Sequence, residues 1–459
     1  MDFPLFHLDV FGNRLLFAGI AITHVLINHA LAVGAMPLVT LLEWWGVRTG
    51  DARWDRLAHR LLTVFFIVTT TAGALTGVGI WVAASLVNPT AIGSLIRVFF
   101  WAWFTEWLVF VGEVGLILAY YLSWRGWGAR HKRAHVGLGL TLSAFSWATM
   151  AVIVAVLGFQ MSTGVWTVRP GFWTALLNPL YLPQLAFRTP FAMITAALVA
   201  LMLGFWFVRD DRDFRARAVR LISLWALAWT PGWLLGALAY WRALPESAGR
   251  NIDIALTSLR WQQWADRMPW LIAGATAAIV VLAAWGAWKP ARLPRASLLV
   301  PAVLAFWLLG TFERVREFIR KPDVIADYLY ANGLRHADYP LLREEGLLRH
   351  ATYTAARGIT NDTRLVAGRE MFRLACSRCH TTTGMNGVVT KLTNLYGPGP
   401  WDQATIEAYL AGMQNTRPFM PPLPGTGAER SALAAWLISL RATPAHLDGA
   451  QTTGAVVTP

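Results

Sequence analysis

The sequence contains two cysteines, and both belong to one short motif, Cys376-Ser-Arg-Cys379-His380. Two thiols separated by two residues and followed directly by a histidine are typical of covalent attachment of a c-type haem. The alternatives are a redox-active CxxC pair and half of a zinc site. The adjoining histidine favours haem, so the motif predicts one covalent haem c.

The residues around this motif resemble class I cytochromes c. The segment from Gly368 to His380 is similar to the first helix and haem loop of that family, in which the thiols add to haem vinyl groups and the histidine is the proximal iron ligand. The second ligand is expected on a loop before the last helix. Met420 in RPFMPP fits, because prolines stiffen a non-helical loop, and His/Met ligation raises the reduction potential. Met385 and Met413 are competitors, and a core methionine is the alternative for Met420.

Four ionisable residues stand out within long apolar stretches: His24, His29, Glu106 and Glu113. Such residues are costly inside a membrane span and are therefore functional candidates. His24 and Glu106 each lie about 13–15 Å along the helix from the Arg nearest its start. We therefore expect the two side chains at the same depth in the outer half of the bilayer. Glu106 and Glu113 are seven residues apart and share a helix face. They are candidates for catalytic proton transfer; polar side chains that hydrogen-bond between helices are the alternative.

The overall composition is that of a polytopic membrane protein. Of the 459 residues, 56% are hydrophobic and 14% are charged, whereas soluble domains are about 25% charged. The 25 Trp residues agree with this class, because Trp concentrates at bilayer interfaces. The net charge of +14 is accounted for by Lys and Arg in loops, so we expect no nucleic-acid partner.

Apolar runs of about 20 residues are long enough to cross a bilayer. Eight such runs predict an all-α, polytopic membrane helix bundle surrounded by lipid. The N-terminus lacks a basic region and a small-residue cleavage site, so we predict no removable signal peptide. The eight predicted spans are residues 14–46, 60–86, 98–123, 136–160, 189–208, 218–241, 268–288 and 296–315.

Lys and Arg are distributed unevenly between the loops. One alternating set contains 16 of them and the other contains 7. The richer set is expected in the cytoplasm, which puts both termini in the periplasm of a bacterial cytoplasmic membrane. Cytochrome c haems are attached on that side, so the topology agrees with the haem motif. The richer loops are residues 47–60, 125–135, 209–220 and 289–295; the poorer ones are 87–97, 161–188 and 242–267.

The composition changes after the last apolar run, which predicts a second domain. Residues 1–320 are predicted to form the transmembrane haem-binding domain and residues 321–365 a periplasmic connector. Residues 366–442 are expected to fold as a small α-helical cytochrome c domain. The small polar tail, residues 443–459, is predicted to be disordered.

The membrane part, over about residues 10–325, resembles the large subunit (subunit I) of cytochrome bd-type quinol oxidases. The stretch from Arg14 to His24 is similar to the family's first helix, whose histidine ligates a haem of the oxygen-reducing pair. The segments GALTGVGIW and LSAFSW are similar to family sequences in the second and fourth helices. Glu106 and Glu113 correspond to paired glutamates of the family, with a separation one residue shorter.

A late motif, Glu317-Phe-Ile-Arg320-Lys-Pro322, resembles the family's Glu-x-x-Arg-x-Pro. In the family this Glu ligates a high-spin haem b, and the Arg lies close by. The resemblance therefore implies that His24 and Glu317 hold one or two non-covalent haems of b or d type, with Arg320 beside them. The alternative is a helix end with an ordinary Glu–Arg pair at i,i+3.

The sequence departs from the family where a third haem and the quinol are expected. Asn178-Pro179 matches the start of the fifth helix, but Arg188 falls near the place of the histidine that ligates the quinol-side haem b. Met268 lies near the family's Met ligand. The loop after the sixth span has only about 25 residues, in place of the family's long quinol-binding loop. The third haem and the quinol site are therefore in question.

Three functions are compatible with these residues. The first is an oxidoreductase subunit that passes electrons between periplasmic haem c and the membrane haems, with oxygen as acceptor and a periplasmic cytochrome c or another redox protein as donor. The second transfers electrons from quinol to haem c. The third is a non-catalytic haem c anchor or relay in a larger respiratory complex. The resemblance also implies a second, homologous membrane subunit.

Overall fold

The computed structural model describes residues 4–257 and 267–442, so the predicted tail at 443–459 lies outside the described residues. The chain divides into two compact units. The membrane unit is Leu16–His336, and the second unit combines Met1–Leu15 with the chain from Ala337 onward. Within the described ranges the chain is almost entirely helical, with a single two-stranded hairpin.

In the part of the chain that the structure describes, eight helical segments are long and apolar enough to cross a membrane. The prediction of an all-α bundle with eight spans is therefore confirmed, and the protein is an integral membrane protein. In chain order, spans 1–8 are Asn13–Thr49, Ala52–Val87, Phe100–Ser123, Lys132–Met161, Tyr181–Gly204, Arg212–Ala243, Met268–Trp288 and Ala296–Ile319.

Spans 1 and 2 each contain one π-helical turn, a local widening of the helix that is often found at functional sites. These turns are His29–Val33 and Thr69–Gly73. The α-helices of the membrane unit are α1 (Asn13–Asn28), α2 (Ala35–Thr49), α3 (Ala52–Val68), α4 (Ala74–Val87), α5 (Pro89–Val98), α6 (Phe100–Ser123), α7 (Trp127–Arg130), α8 (Lys132–Met161), α9 (Phe172–Leu176), α10 (Tyr181–Phe207), α11 (Arg212–Ala243), α12 (Glu246–Arg250), α13 (Ile252–Thr257), α14 (Met268–Trp288) and α15 (Val300–Ile319).

Span 5 is the central helix of the membrane unit, with 78% of its apolar stretch buried, whereas the figure for span 3 is 11%. Two glycines let neighbouring backbones reach it. A Cβ at Gly34 would lie 2.0 Å from the carbonyl oxygen of Ala192, and one at Gly236 would lie 2.4 Å from that of Ala186. Spans 1 and 6 therefore contact span 5 at backbone distance.

A short hairpin follows span 8. Its strands, β1 (Asp323–Ile325) and β2 (Leu329–Tyr330), are antiparallel. Ile325 and Leu329 are buried in an apolar cluster with Phe99 and Phe159. The hairpin thus packs against the helices of the membrane unit and follows its last span.

The second unit is a small helical domain. Its first and last long helices cross in close contact, because a Cβ at Gly368 would lie only 2.1 Å from the carbonyl oxygen of Ala432. The rings of Phe372 and Trp436 meet at this crossing, with centroids 5.0 Å apart. The helices of this unit are α16 (Tyr339–Glu345), α17 (Arg364–Ala375), α18 (Val388–Tyr396), α19 (Gln403–Thr416) and α20 (Gly427–Ala442).

The Gly368→Ala substitution is expected to destabilise the second unit by about 1–3 kcal/mol, because the added methyl group forces α17 and α20 apart. Hydrogen exchange of α17 and α20 in the full-length protein measures this effect. Gly412→Ala is the matched control, since a Cβ there has open space and alanine favours a helix. Equal exchange in the two variants would show that the close crossing is not required.

Candidate haem sites

The CxxCH motif begins where α17 ends. The backbone N–H groups of Cys379 and His380 both donate to the carbonyl of Cys376 at 3.0 Å, which folds the motif into a tight turn. The half-buried imidazole of His380 is oriented by its Nδ1–H, which donates to the carbonyl oxygen of Asn386 at 3.1 Å. This hydrogen bond places the imidazole proton on Nδ1 and leaves the lone pair on Nε2, the arrangement that is usual for an iron-binding histidine.

The chemistry of this turn fits a covalent haem. Burial lowers the pKa of His380, against the opposing effect of the Asn386 carbonyl, so the imidazole is neutral and keeps its lone pair. Burial, together with the neighbouring Cys379, raises the pKa of Cys376 to about 12. Both cysteines are free and can form thioether bonds. Among the described residues, no group of three or more His, Cys, Asp and Glu side chains could hold a metal ion.

Met420 lies half-buried in the non-helical loop between α19 and α20, as the sequence predicts for that segment. The N–H of Met420 donates to the carbonyl of Arg417 at 2.8 Å. Further along the loop, the carbonyl of Pro422 accepts a hydrogen bond from the Tyr339 hydroxyl at 3.1 Å. The competitors lie elsewhere in this unit: Met413 is in α19, and Met385 is 55% exposed. Ligation by Met420 remains a prediction.

His24 is packed against span 2. Its Nδ1 is 3.1 Å from the carbonyl oxygen of Gly73, which lies in the π turn, and 3.2 Å from the hydroxyl of Thr76. A Cβ at Gly77 would lie 3.1 Å from the imidazole Cε1, so this glycine of the GALTGVGIW segment makes room beside the ring. The amide nitrogen of Asn28 lies 2.9 Å from Nδ1 and 3.0 Å from Nε2, and iron ligation at Nε2 would replace the second contact. The surroundings of His24 thus fit a haem-ligating histidine.

Glu113 of span 3 is bound to span 4. Its carboxylate accepts hydrogen bonds from the hydroxyls of Ser146 and Thr149, the second at 3.1 Å. Glu106 lies two helical turns earlier on the same face and is half-buried. The hydroxyl partners on span 4 were not foreseen, although LSAFSW was recognised as a motif.

Glu317 and Arg320 lie together at the end of span 8. One carboxylate oxygen of Glu317 is 3.1 Å from the Lys321 ammonium and 3.5 Å from the Arg320 guanidinium. The i,i+3 pair weighed as the alternative is therefore present. The haem-ligand role of Glu317 remains a prediction.

A buried ion network joins spans 1, 5 and 8. Arg188 is 1% exposed, and its guanidinium donates to Glu313 at 2.5 Å and contacts Nε2 of His29 at 3.0 Å. Arg316 donates to the other oxygen of Glu313 at 2.9 Å. Arg188 lies near the place where the family resemblance implies a haem-ligating histidine. In this chain that place is therefore taken by an arginine that is paired with Glu313. Glu313 was not a candidate, although an acid inside an apolar run was a signal.

A second buried cluster joins spans 1, 3 and 4. The fully buried carboxylate of Glu43 contacts Nδ1 of His135 at 2.6 Å, the Lys132 ammonium at 3.0 Å and the Tyr120 hydroxyl at 2.7 Å. This cluster is not predicted by the sequence patterns. The sequence does contain one indication of it, the acidic residue Glu43 within the first apolar run. The partners of Glu43 lie on other helices and become apparent only when the helices pack.

No protein-family model matches this sequence, and no curated protein matches it. Among solved structures, the bd oxidase from Geobacillus thermodenitrificans is similar, with 17% sequence identity and a TM-score of 0.55. The similarity covers 69% of this chain and 89% of that chain. The chain has a bd-oxidase fold.

Proposed function

We propose that this chain is the large subunit of a bd-like oxidoreductase in a bacterial cytoplasmic membrane. It transfers electrons from a periplasmic c-type cytochrome to oxygen. Reduction of one oxygen molecule to two waters takes four electrons, delivered one at a time by four cytochrome molecules, and four protons. The bd-oxidase fold supports the membrane part of the proposal, and the Lys/Arg distribution supports a periplasmic position for the second unit.

One observation carries the proposal. Each unit contains a histidine whose Nδ1 lies within hydrogen-bond distance of a backbone carbonyl: His380 at the oxygen of Asn386, and His24 at that of Gly73. Such a bond fixes the tautomer and orientation of an iron ligand. An electron carrier between soluble cytochrome and membrane interior needs a haem site of this kind in each unit.

The residues proposed to hold the cofactors are those that the resemblances to class I cytochromes c and to bd-type oxidases imply. Cys376, Cys379, His380 and Met420 would bind the c-type haem, and His24 and Glu317, with Arg320 nearby, would bind one or two non-covalent haems of b or d type. When bound, these haems supply one-electron chemistry, tuned by ligand type, polarity and access. Arg188, in a buried ion pair, lies near the place of the histidine expected to ligate the third, quinol-side haem, which favours a cytochrome rather than quinol as electron donor.

Glu106 and Glu113 are proposed to supply the protons. The hydroxyls of Ser146 and Thr149 hold the carboxylate of Glu113 in one orientation. Because Glu106 shares its helix face, a proton released by one carboxylate can reach the other along span 3 through intervening water.

The poorly covered surface of span 3 supports a second membrane subunit. Only 11% of the apolar stretch of span 3 is buried, yet the span contains the ionisable Glu106. Ionisable residues inside a membrane almost always face protein or a water-filled cavity. A homologous membrane subunit packed on span 3 would provide that cover.

Oxygen uptake by the purified complex tests the proposed function. Reduced soluble cytochrome c is expected to drive uptake faster than a short-chain quinol analogue does. Glu113→Gln is expected to lower the rate at least ~100-fold, because removal of a positioned proton donor costs two to four orders of magnitude. Glu344→Gln, an exposed acid-to-amide change in α16, is the control and should retain the wild-type rate.

Two results would contradict this function. Reduction of haem c by quinol without oxygen uptake would favour the quinol-dependent alternative. Neither oxygen uptake nor quinol-dependent reduction of haem c would favour the non-catalytic relay. An unchanged rate in Glu113→Gln would remove the proton role while leaving electron transfer intact.

A further inference from the structure

Residues 7–10 pack against the loop that follows His380. The carboxylate of Asp9 accepts hydrogen bonds from the backbone N–H of Thr382, at 2.6 Å, and from the Thr382 hydroxyl. The N–H of Met385 donates to the carbonyl of Val10 at 2.9 Å. Asp9 and Thr382 are 373 residues apart in the sequence, so only the folded unit brings them together.

The N-terminal strap, defined as residues 6–13, has a fixed shape of its own. The buried side chain of Asn13 accepts from the N–H of Leu8 at 3.0 Å and donates to the carbonyl of Phe6 at 2.7 Å. The N–H of Gly12 donates to the carbonyl of Leu8 at 2.8 Å. Because Gly12 has a φ of +76°, a conformation that favours glycine, the strap forms a defined turn.

The backbone of the strap is in direct contact with the backbone of the loop that follows His380. A Cβ at Gly384 would lie 2.3 Å from the carbonyl oxygen of Asp9 and 2.4 Å from that of Val10. His7 lies 3.1 Å from the Asp9 carboxylate, and its ring meets Phe372 of α17 edge-on, with centroids 6.2 Å apart. The contact is therefore close, and polar as well as apolar groups contribute to it.

The strap holds the part of the loop on which the orientation of His380 depends. The carbonyl that fixes the imidazole belongs to Asn386, six residues beyond His380. Between them, the hydroxyl of Thr381 donates to the carbonyl of Met385 at 2.9 Å, and Met385 in turn is bound to the strap. A displacement of the strap would thus loosen the segment that supplies the orienting carbonyl.

We propose that the N-terminal strap is part of the c-type haem site and that Asp9 is a positioning residue for the loop that orients His380. The inference rests on the proposed function, because it assigns the strap to the haem that His380 would bind. The strap also continues without a break into α1. One chain segment therefore supports the haem loop and begins the helix that contains His24.

The charge of Asp9 suits this role. Burial by itself would raise its pKa, but hydrogen bonds from His7 and Thr382 outweigh that effect and lower the pKa to about 2. The carboxylate is therefore ionised and accepts its hydrogen bonds at physiological pH. The competing interpretation is a tether that fastens the chain terminus without acting on the haem.

The test uses the full-length protein and two readouts. Asp9→Ala is expected to increase hydrogen exchange in the peptide 381–390 about three- to tenfold, because the carboxylate is partly exposed and its hydrogen bonds are of moderate strength. It is also expected to shift the midpoint potential of haem c, since the orientation of the axial histidine changes. Asp9→Asn keeps one oxygen acceptor and should give smaller effects in the same direction.

Asp402→Ala is the matched control, because Asp402 caps α19 in the same unit by accepting from the N–H of Thr405 at 2.8 Å. It should change neither exchange in 381–390 nor the potential.

Unchanged exchange in Asp9→Ala, or an equal change in the control, would overturn the proposal. Faster exchange with an unshifted potential would also overturn it and leave the tether. If Asp9→Ala cannot be purified, Asp9→Asn decides by the same readouts. If the wild-type protein contains no covalent haem, the proposed function is refuted. The exchange data then test the strap contact by themselves: faster exchange in Asp9→Ala supports the contact, and unchanged exchange refutes it.

Discussion

Replacing Cys376 and Cys379 by serine is expected to remove all covalently bound haem from the chain. A serine hydroxyl does not add to a haem vinyl group as a thiol does, so both thioether bonds are lost together. Haem staining of the denatured protein after electrophoresis measures covalent haem directly. The expected result is a full loss of stain in the double variant, with loss of oxygen uptake driven by cytochrome c.

The control for this substitution lies between the two cysteines. Ser377 donates its hydroxyl to the carbonyl of Arg373 at 2.6 Å, and Ser377→Ala should keep the stain because no sulfur is removed. Non-covalent haem should remain in the double variant, since His24 belongs to the other unit. Stain that persists without both thiols would show that the haem is attached elsewhere.

The second large effect is expected from the buried ion network of the membrane unit. Glu313→Gln removes the carboxylate that lies between the guanidiniums of Arg188 and Arg316. The buried guanidinium of Arg188 and the partly buried one of Arg316 are then left without this anion. Removal of one partner from a buried pair costs about 3–5 kcal/mol. The free energy of unfolding should fall by that amount in SDS titrations of the protein in mixed micelles.

A double substitution separates the charge effect from a general loss of packing. Arg188→Met combined with Glu313→Gln removes one of the two uncompensated cations and should recover part of the lost stability. Asp213→Asn, an exposed acid-to-amide change in the first turn of α11, should cost at most about 1 kcal/mol. If Glu313→Gln were as stable as this control, the network would not be a major source of stability.

The elements of the fold that were predictable are those encoded by contiguous sequence. Eight apolar runs gave the eight spans, because crossing a bilayer requires length and hydrophobicity that are visible locally. The start of span 5 was placed at residue 189, yet the helix begins at Tyr181. Gln184 and Arg188 interrupt the apolar run, but both are buried in the structure, and Arg188 is neutralised by Glu313, 125 residues away.

The same distinction applies to the sites. The CxxCH motif could be recognised because its residues are adjacent, and its loop does present His380 with an orienting carbonyl. The partners of Glu113, the Glu43 cluster and the contact of Asp9 with Thr382 join residues that are far apart in sequence. Side-chain hydrogen bonds of this kind depend on which helix faces meet. Patterns within one helix indicate that a polar residue needs a partner but do not say which partner it has.

The central claim is that one chain carries a covalent haem c and also holds haem inside the membrane. The most direct measurement is a pyridine haemochrome assay on the purified, detergent-solubilised protein, combined with acid–acetone extraction to separate non-covalent from covalent haem. The account predicts one covalent haem c per chain and one or two extractable haems. Covalent haem with nothing extractable would contradict the membrane haem site and leave an electron-transferring anchor, and the absence of covalent haem would contradict the role of the CxxCH motif.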